Sequence, residues 1–194
     1  MQLALKRRQH IQHTENIWPD KKDTMRKVIL GLAITLDGYI EGPNGEYDWC
    51  FTDQDYGLNA FFERIDALFM GRKSYEEAQK FKDSPWQGMT TYLFSRTMKP
   101  ADDPRVILVP DGSVEVVQKI KQEKGMDIWL FGGADLTRQF INAGLVDELW
   151  LSVHPILLGG GKALFQDIVG RKPLKLLESK TYETGLVSLR YAMG

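Results

Sequence analysis

The stretch from Ile128 to Phe140, IWLFGGADLTRQF, constrains the fold of this chain more than any other. A hydrophobic run ends in Gly132-Gly133, and a helical pattern begins at once. Glycine has no Cβ, so backbone can come close to a ligand at such a junction. The first N–H groups of the following helix have no partner in the chain and face outward with a partial positive charge. The junction therefore suits a phosphate or pyrophosphate. It equally suits a plain tight connection between strand and helix, so the remaining segments must discriminate.

The 194 residues suffice for one domain with a real core. With 43% hydrophobic and 26% charged residues the composition is that of an ordinary soluble globular protein. A formal net charge of -1 argues against a nucleic-acid binder that relies on a strong basic field. One cysteine, Cys50, allows no internal disulfide, and no Cys/His cluster has zinc-ligand spacing, so no metal is expected. A reducing cytoplasm fits this usage, and no apolar run approaches a membrane span. Residues 1–24 carry Lys6-Arg7-Arg8, His10, His13 and Lys21-Lys22-Asp23 with no apolar block behind them, which is not the pattern of a secretory signal. They read as a flexible N-terminal extension, upstream of a domain over 25–194; the basic cluster also admits a nucleic-acid arm.

From Met25 onward short apolar runs alternate with helical patterns. Lys27 to Ile34 is uniformly apolar and β-rich, the mark of a strand in the middle of a sheet. It runs into turns at Asp37-Gly38 and Gly42-Pro43-Asn44-Gly45 and a loop with Tyr47, Asp48 and Trp49, aromatics that either wall a pocket or fill a satellite core. Asp53 or Asp55 caps a helix expected to run through Ile65, with Leu58, Phe61, Phe62 and Ile65 on one face. Ala67 to Met70 is a brief buried strand closed by Gly71-Arg72-Lys73-Ser74, followed by helix from Tyr75 to Phe81. Thr90 to Phe94 is a strand ending in Ser95-Arg96-Thr97, and Arg105 to Val109 is another. A helix over Val114 to Lys124 turns Val114, Val117, Ile120 and Lys121 inward. Strand 127–131 and helix 134–143 follow, then a strand from Leu145 to Val153, a loop with Gly159-Gly160-Gly161, and a terminal hairpin of Leu174 to Tyr182 and Leu186 to Ala192.

Strands alternating with helices predict an α/β fold: a three-layer α/β/α arrangement on a mixed, mostly parallel sheet with a C-terminal antiparallel hairpin. In such sheets ligands lie beyond the carboxyl ends of the strands. Four junctions deliver glycine, hydroxyl and cationic groups there: Asp37-Gly38, Gly71-Arg72-Lys73-Ser74, Ser95-Arg96-Thr97 and Gly132-Gly133. Their convergence points to an extended polyanionic ligand such as a dinucleotide. No GxGxxG follows the first strand, which disfavours a Rossmann fold, and the absence of GxxxxGK[ST] excludes a P-loop.

These residues resemble the dihydrofolate reductase-like superfamily, in the branch of the C-terminal reductase domain of the bifunctional riboflavin-biosynthesis deaminase-reductase. The resemblance runs from about Met25 to the C-terminus. Thr35-Leu36-Asp37-Gly38, Met70 to Ser74, Leu93 to Thr97, Phe131 to Leu136, Leu145 to Leu149 and Pro155 to Gly161 carry it, in that order. It implies an NADPH-dependent reductase that acts on a small heterocyclic substrate and forms a homodimer. Backbone near Ala33 and Ile40 would hold the nicotinamide carboxamide. Gly71, Arg72, Lys73 and Ser74 would take the pyrophosphate and 2′-phosphate side, with Ser95 and Arg96 beside the 2′-phosphate and adenosine. Gly132, Gly133, Ala134, Asp135 and Leu136 would lie under the pyrophosphate. Cations suit the extra phosphate that distinguishes NADPH from NADH.

Two departures concern the substrate. Phe131 stands where the riboflavin reductase domain usually carries a glutamate, and Tyr75-Glu76-Glu77-Ala78 replaces an Asp-Asn-Pro stretch. The chain also holds no HxE…PCxxC zinc-deaminase pattern. It is more similar to small stand-alone members of the superfamily than to enzymes acting on a phosphoribosyl-pyrimidine. Asp37 and Asp55 are the candidate catalytic carboxylates, although Asp37 also suits a turn and Asp55 a helix cap. Tyr47, Trp49 and Phe131 are candidate substrate-stacking groups, and His154 reads as structural. The alternative function is a non-catalytic NADPH- or nucleotide-binding module.

Overall fold

The computed structural model describes residues 25–194 apart from 82, 83, 101 and 111. The extension expected over 1–24 lies outside the described residues. In chain order the elements are β1 (Val28–Thr35), β2 (Tyr39–Glu41), α1 (Leu58–Phe62), β3 (Ile65–Gly71), α2 (Arg72–Ala78), β4 (Thr90–Phe94), β5 (Val106–Val109), α3 (Val114–Gln122), β6 (Asp127–Gly132), α4 (Ala134–Asn142), β7 (Glu148–His154), β8 (Lys162–Ala163), β9 (Leu174–Thr181) and β10 (Val187–Met193). An eight-stranded sheet runs in the order β5-β4-β3-β6-β1-β7-β10-β9. The strands from β5 across to β7 are all parallel, and β10 and β9 are added antiparallel. This is the mixed, mostly parallel sheet with a terminal antiparallel hairpin that the alternation of patterns predicts.

The central position of β1 follows from its composition. Val28, Ile29 and Leu30 have no solvent exposure, because helices cover both faces of the sheet. Successive side chains point to opposite faces. Val28 and Leu30 join a core with Val117 and Ile120 of α3 and Phe140 and Ile141 of α4. Ile29 joins a second core with Phe61 of α1, Ala78 of α2, Leu68 and Trp129. Lys121 lies inward with the α3 stripe and is buried because its ammonium meets the equally buried Asp147 carboxylate at 2.6 Å. Next to this pair, at the amino end of the same strands, the buried Glu148 carboxylate accepts from Lys27 (3.0 Å), Arg64 (3.3 Å) and Arg190 (3.3 Å), joining β7 to the start of β1, to β3 and to β10.

The structure departs from expectation at several points: the strand expected from Leu145 starts at Glu148, and the helix expected to Phe81 ends at Ala78. The first helix covers only Leu58–Phe62, and Ile65 opens β3 opposite Asp127 rather than closing a helix face. The Arg64 carbonyl accepts from Asp127 N–H, so the chain is captured by the sheet as soon as the buried run begins. The next helix starts directly at Arg72, so Arg72, Lys73 and Ser74 form its first turn instead of a preceding loop. Val114, the first residue of α3, is 40% exposed and stands outside the buried stripe of Val117, Ile120 and Lys121. The small β2–β8 ribbon has no counterpart among the expected elements. With three and two residues, these strands carry too little pattern to read and exist through their pairing.

Candidate functional site

The parallel strands bring the ends of β1, β3, β4, β6 and β7 to one edge of the sheet, and an opening lies between two of them. The β1–β6 ladder ends at Leu30 opposite Leu130. On its other side β1 continues against β7 as far as Thr35 opposite His154. β6 meanwhile stays with β3 up to Gly132 opposite Met70. From Gly31 onward, one edge of β1 therefore faces a gap instead of a strand. Backbone groups there must find partners outside the ladder. One is filled from within: Trp129 Nε1–H donates to the Gly31 carbonyl at 2.8 Å. Ala33, half-buried farther along this segment, borders the gap, and Ile40 of β2 packs against the adjoining core.

The glycine junction closes one side of this gap. Gly132 has φ +120°, a conformation that favours glycine, and Gly133 is the N-cap of α4 with no side-chain cap. The first bond within α4 runs from Thr137 N–H to the Gly133 carbonyl, which leaves the N–H groups of Ala134, Asp135 and Leu136 without an intrahelical acceptor. Asp135 stands in solvent and pairs loosely with Arg138 at 3.6 Å. Ser74 Oγ accepts from Gly133 N–H at 2.9 Å, binding the first turn of α2 to the glycine loop. Beside it Arg72 makes an exposed i,i+4 pair with Glu76 at 3.3 Å, a contact weak enough to yield to a phosphate. Gly71 lets β3 pass directly into this turn, and Lys73 is exposed next to it. At the end of β4, Ser95 Oγ accepts from Met98 N–H (3.1 Å) and Thr97 N–H (3.3 Å), a turn that presents Arg96 to solvent.

A cavity of about 260 Å³ opens on the α1 side of the sheet, beside the same segment of β1. Gly31 and Ala33 meet it from β1, Trp129 from β6, and Trp150, Ser152 and His154 from β7. Phe61 and Phe62 of α1, Trp86, Tyr56 and Phe51 complete most of its walls. Of the stacking candidates, Phe131 packs behind this wall on Trp129 (4.8 Å) and Trp86 (5.7 Å), and Trp49 packs edge-on against His154 at 5.2 Å. Tyr47 is 45% exposed and lies outside the lining. Sequence reasoning gives the three tryptophans and the α1 phenylalanines no site role, because each reads locally as core.

Neither candidate carboxylate lines the cavity. Asp37 accepts from Thr35 Oγ–H (2.6 Å), Gly159 N–H (2.8 Å) and Leu158 N–H (3.3 Å). The Thr35 hydroxyl and then the Gly159 amide hold its carboxyl below the usual range, so it is a charged acceptor fastening the β1 turn to the 157–159 loop. Asp55 accepts from Gly57 N–H (2.9 Å) and Asn59 N–H (2.8 Å) at the start of α1. His154 is held by two backbone groups. Its Nδ1 meets the Ser152 carbonyl at 3.0 Å and its Nε2 meets Phe51 N–H at 3.1 Å. A carbonyl only accepts and an N–H only donates, so the ring is the neutral Nδ1–H tautomer. Burial pushes its pKa down, in agreement.

The comparisons with known proteins agree with this architecture. The model of the RibD C-terminal domain family matches residues 26–188. Two Bacillus subtilis (strain 168) proteins, both described as uncharacterized, are similar in sequence. YyaP is 43% identical over 178 residues, covering 86% of this chain and 94% of its own, and YwjB is 32% identical over 161 residues, covering 81% and 92%. A protein ascribed to riboflavin biosynthesis in Shewanella sp. PV-4 superposes with a TM-score of 0.77 at 26% identity, over 87% of this chain and 99% of that one. A diaminohydroxyphosphoribosylaminopyrimidine deaminase/5-amino-6-(5-phosphoribosylamino)uracil reductase of Thermotoga maritima shares the fold, with a TM-score of 0.68 at 14% identity, over 88% of this chain and 57% of that one. The fold is the dihydrofolate reductase-like α/β fold, and the chain belongs to the RibD C-terminal domain family.

Proposed function

We propose that this protein is an NADPH-dependent reductase of a small heterocyclic substrate. One observation carries the reading: β1 and β6 part company after Leu30, the glycine–helix junction lies at the end of β6, and Arg72, Lys73 and Arg96 stand exposed at the ends of β3 and β4 on the same edge of the sheet. The residues present fit the cofactor. Gly132 and Gly133 put no side chain over the loop, the free N–H groups of Ala134, Asp135 and Leu136 suit a pyrophosphate, and the Ser74 hydroxyl, already an acceptor, keeps its proton to donate. Arg72 and Arg96 suit a phosphate on the ribose. The exposed β1 edge at Ala33 and the backbone near Ile40 suit a carboxamide. A nicotinamide held there by these residues would supply a hydride, two electrons and one proton nucleus, for a carbon of the substrate. The chain's part is to hold the two rings in register between the aromatic walls and to leave the balancing proton to solvent, since neither Asp37 nor Asp55 lines the cavity.

A second reading, a nucleotide-binding module without turnover, is favoured by that same lack of a carboxylate in the lining. Fluorescence titration with NADPH and NADH, followed by oxidation assays with pteridines, pyrimidines and simple carbonyls, separates the two. Tight NADPH binding with turnover is expected; tight binding without turnover supports the module, and no binding to either cofactor defeats both. The chain is further proposed to pair with a second copy. The outer strand β9 supports this, with every residue exposed and Leu174, Leu176 and Leu177 open to solvent. Light scattering at twice the chain mass is the expected result.

A further inference from the structure

The chemistry of the cavity lining narrows what can enter it, an inference that rests on the reductase reading. Its walls are rings set edge to face: Phe61 on Trp129 at 5.4 Å and 85°, Phe61 on Trp150 at 4.9 Å and 87°, and Trp86 on Trp129 at 5.5 Å and 80°. Such a box offers flat slots with π faces and ring edges. Its polar groups are few and uncharged. The indole N–H of Trp129 is taken by the Gly31 carbonyl, and that of Trp150 by Ser188 Oγ at 2.8 Å. His154 is neutral, with both ring nitrogens bonded to backbone. The Cys50 thiol is pushed up to about 11, first by burial and then by the charge of Asp48, and is uncharged at neutral pH. The Tyr56 hydroxyl is bonded to Asp53 at 2.7 Å and lies 3.2 Å from Thr184 Oγ1. With the open β1 edge at Ala33 assigned to the carboxamide, what remains for the substrate is the Ser152 hydroxyl.

Among the described residues no arginine or lysine belongs to this lining; the Arg190 guanidinium, 5.5 Å from the Trp150 ring centre, is paired with Glu178 and Glu148. Arg72, Lys73 and Arg96 sit at the ends of β3 and β4, where they are committed to the cofactor side in the reading above. A phosphate entering the aromatic box would lose its water with no cation to replace it. The volume, about 260 Å³, is at the small end for ligand pockets and suits one or two fused rings. We propose that the substrate bound in this cavity is an uncharged, planar aromatic heterocycle that carries no phosphate or phosphoribosyl group. Its flat faces lie against Trp86 and the α1 phenylalanines, and an edge polar atom meets Ser152.

The test uses a matched pair of probes, 1-naphthol and 1-naphthyl phosphate, which share a ring system and differ in the phosphate. Isothermal titration of the full chain should show the neutral probe binding at least about tenfold more tightly. Trp86→Ala, which removes one wall, should weaken 1-naphthol by about tenfold. Phe62→Ala serves in its place if that variant does not fold. Equal or tighter binding of the phosphate overturns the proposal, and so does the absence of binding by either probe. A separate NADPH titration keeps the two readings apart. A preference for 1-naphthol without NADPH binding defeats the reductase reading and leaves the cavity assignment standing. NADPH binding with a preference for the phosphate does the reverse.

Discussion

Ser74 Oγ accepts a hydrogen bond from Gly133 N–H at 2.9 Å, and this contact joins two strand–helix junctions that lie 59 residues apart in the chain. It explains why the Gly71-Arg72-Lys73-Ser74 and Gly132-Gly133 signals belong to one site: the hydroxyl that ends the first motif is the acceptor that holds the second in place. Replacing Ser74 by alanine leaves a half-buried N–H without its partner. The expected loss is about 0.5–1.5 kcal/mol of stability, read from urea unfolding, together with weaker NADPH binding. A variant with unchanged stability and unchanged NADPH affinity would remove the serine from the site.

Glu148 anchors the far end of the same strands. Burial raises its carboxyl, but the Lys27 hydrogen bond and the charges of Arg64, Lys27 and Arg190 outweigh it and hold the group below its ordinary value. A depressed carboxylate contributes stability that is present above its unfolded value and is lost as pH falls through the folded one. Glu148→Gln should lower unfolding free energy by about 3–5 kcal/mol near neutral pH, because three cations are left around an uncharged side chain. The loss should shrink as pH drops into the acid range. A loss that stays constant with pH would rule out the ionic origin.

His154 works with the opposite charge logic. Burial keeps its folded value below the ordinary 6.5, so the unfolded chain binds the proton first. Stability is then full above the unfolded value and falls as pH drops below it. Protonation would also set a second N–H against Phe51 N–H and release the 49–51 loop from the cavity. Melting temperature should fall between about pH 7.5 and 5 in the parent chain. The fall should be smaller in His154→Gln. Parallel curves for the two proteins would contradict this role.

Gly31 is where the backbone makes room for the aromatic box. A Cβ there would lie 3.1 Å from Phe61 Cζ and 3.3 Å from Trp129 Nε1, both buried rings held by other rings. Gly31→Ala should destabilise by about 1–3 kcal/mol and change the tryptophan emission spectrum. An alanine variant as stable as the parent, with the same spectrum, would show that the box has slack.

Much of the fold is legible because its signals are local. The β1, β4 and β6 strands are short apolar runs stopped by glycine or hydroxyl residues, and the cofactor-side junctions sit at those stops. Val117, Ile120 and Lys121 on α3 follow from helical spacing alone, whereas Val114, expected with them, is exposed. The cavity is not legible in that way. Phe61, Trp86, Trp129 and Trp150 come from four separate segments, and each satisfies the local rule for a core residue. Only the early end of the β1–β6 ladder, a property of register between distant strands, opens space among them. The early stop of α1 has the same origin, since Ile65 is claimed by pairing with Asp127 before the helix can reach it.

The proposed reductase requires that the strand-end edge hold NADPH through its cations. The direct measurement is the affinity of the parent chain, Arg72→Ala and Arg96→Ala for NADPH and for NADH by nicotinamide fluorescence. The arginines are assigned to the extra phosphate, so their removal should weaken NADPH by about tenfold or more each while changing NADH little. Equal losses for both cofactors, or no loss for either, would contradict the assignment of this edge as an NADPH site.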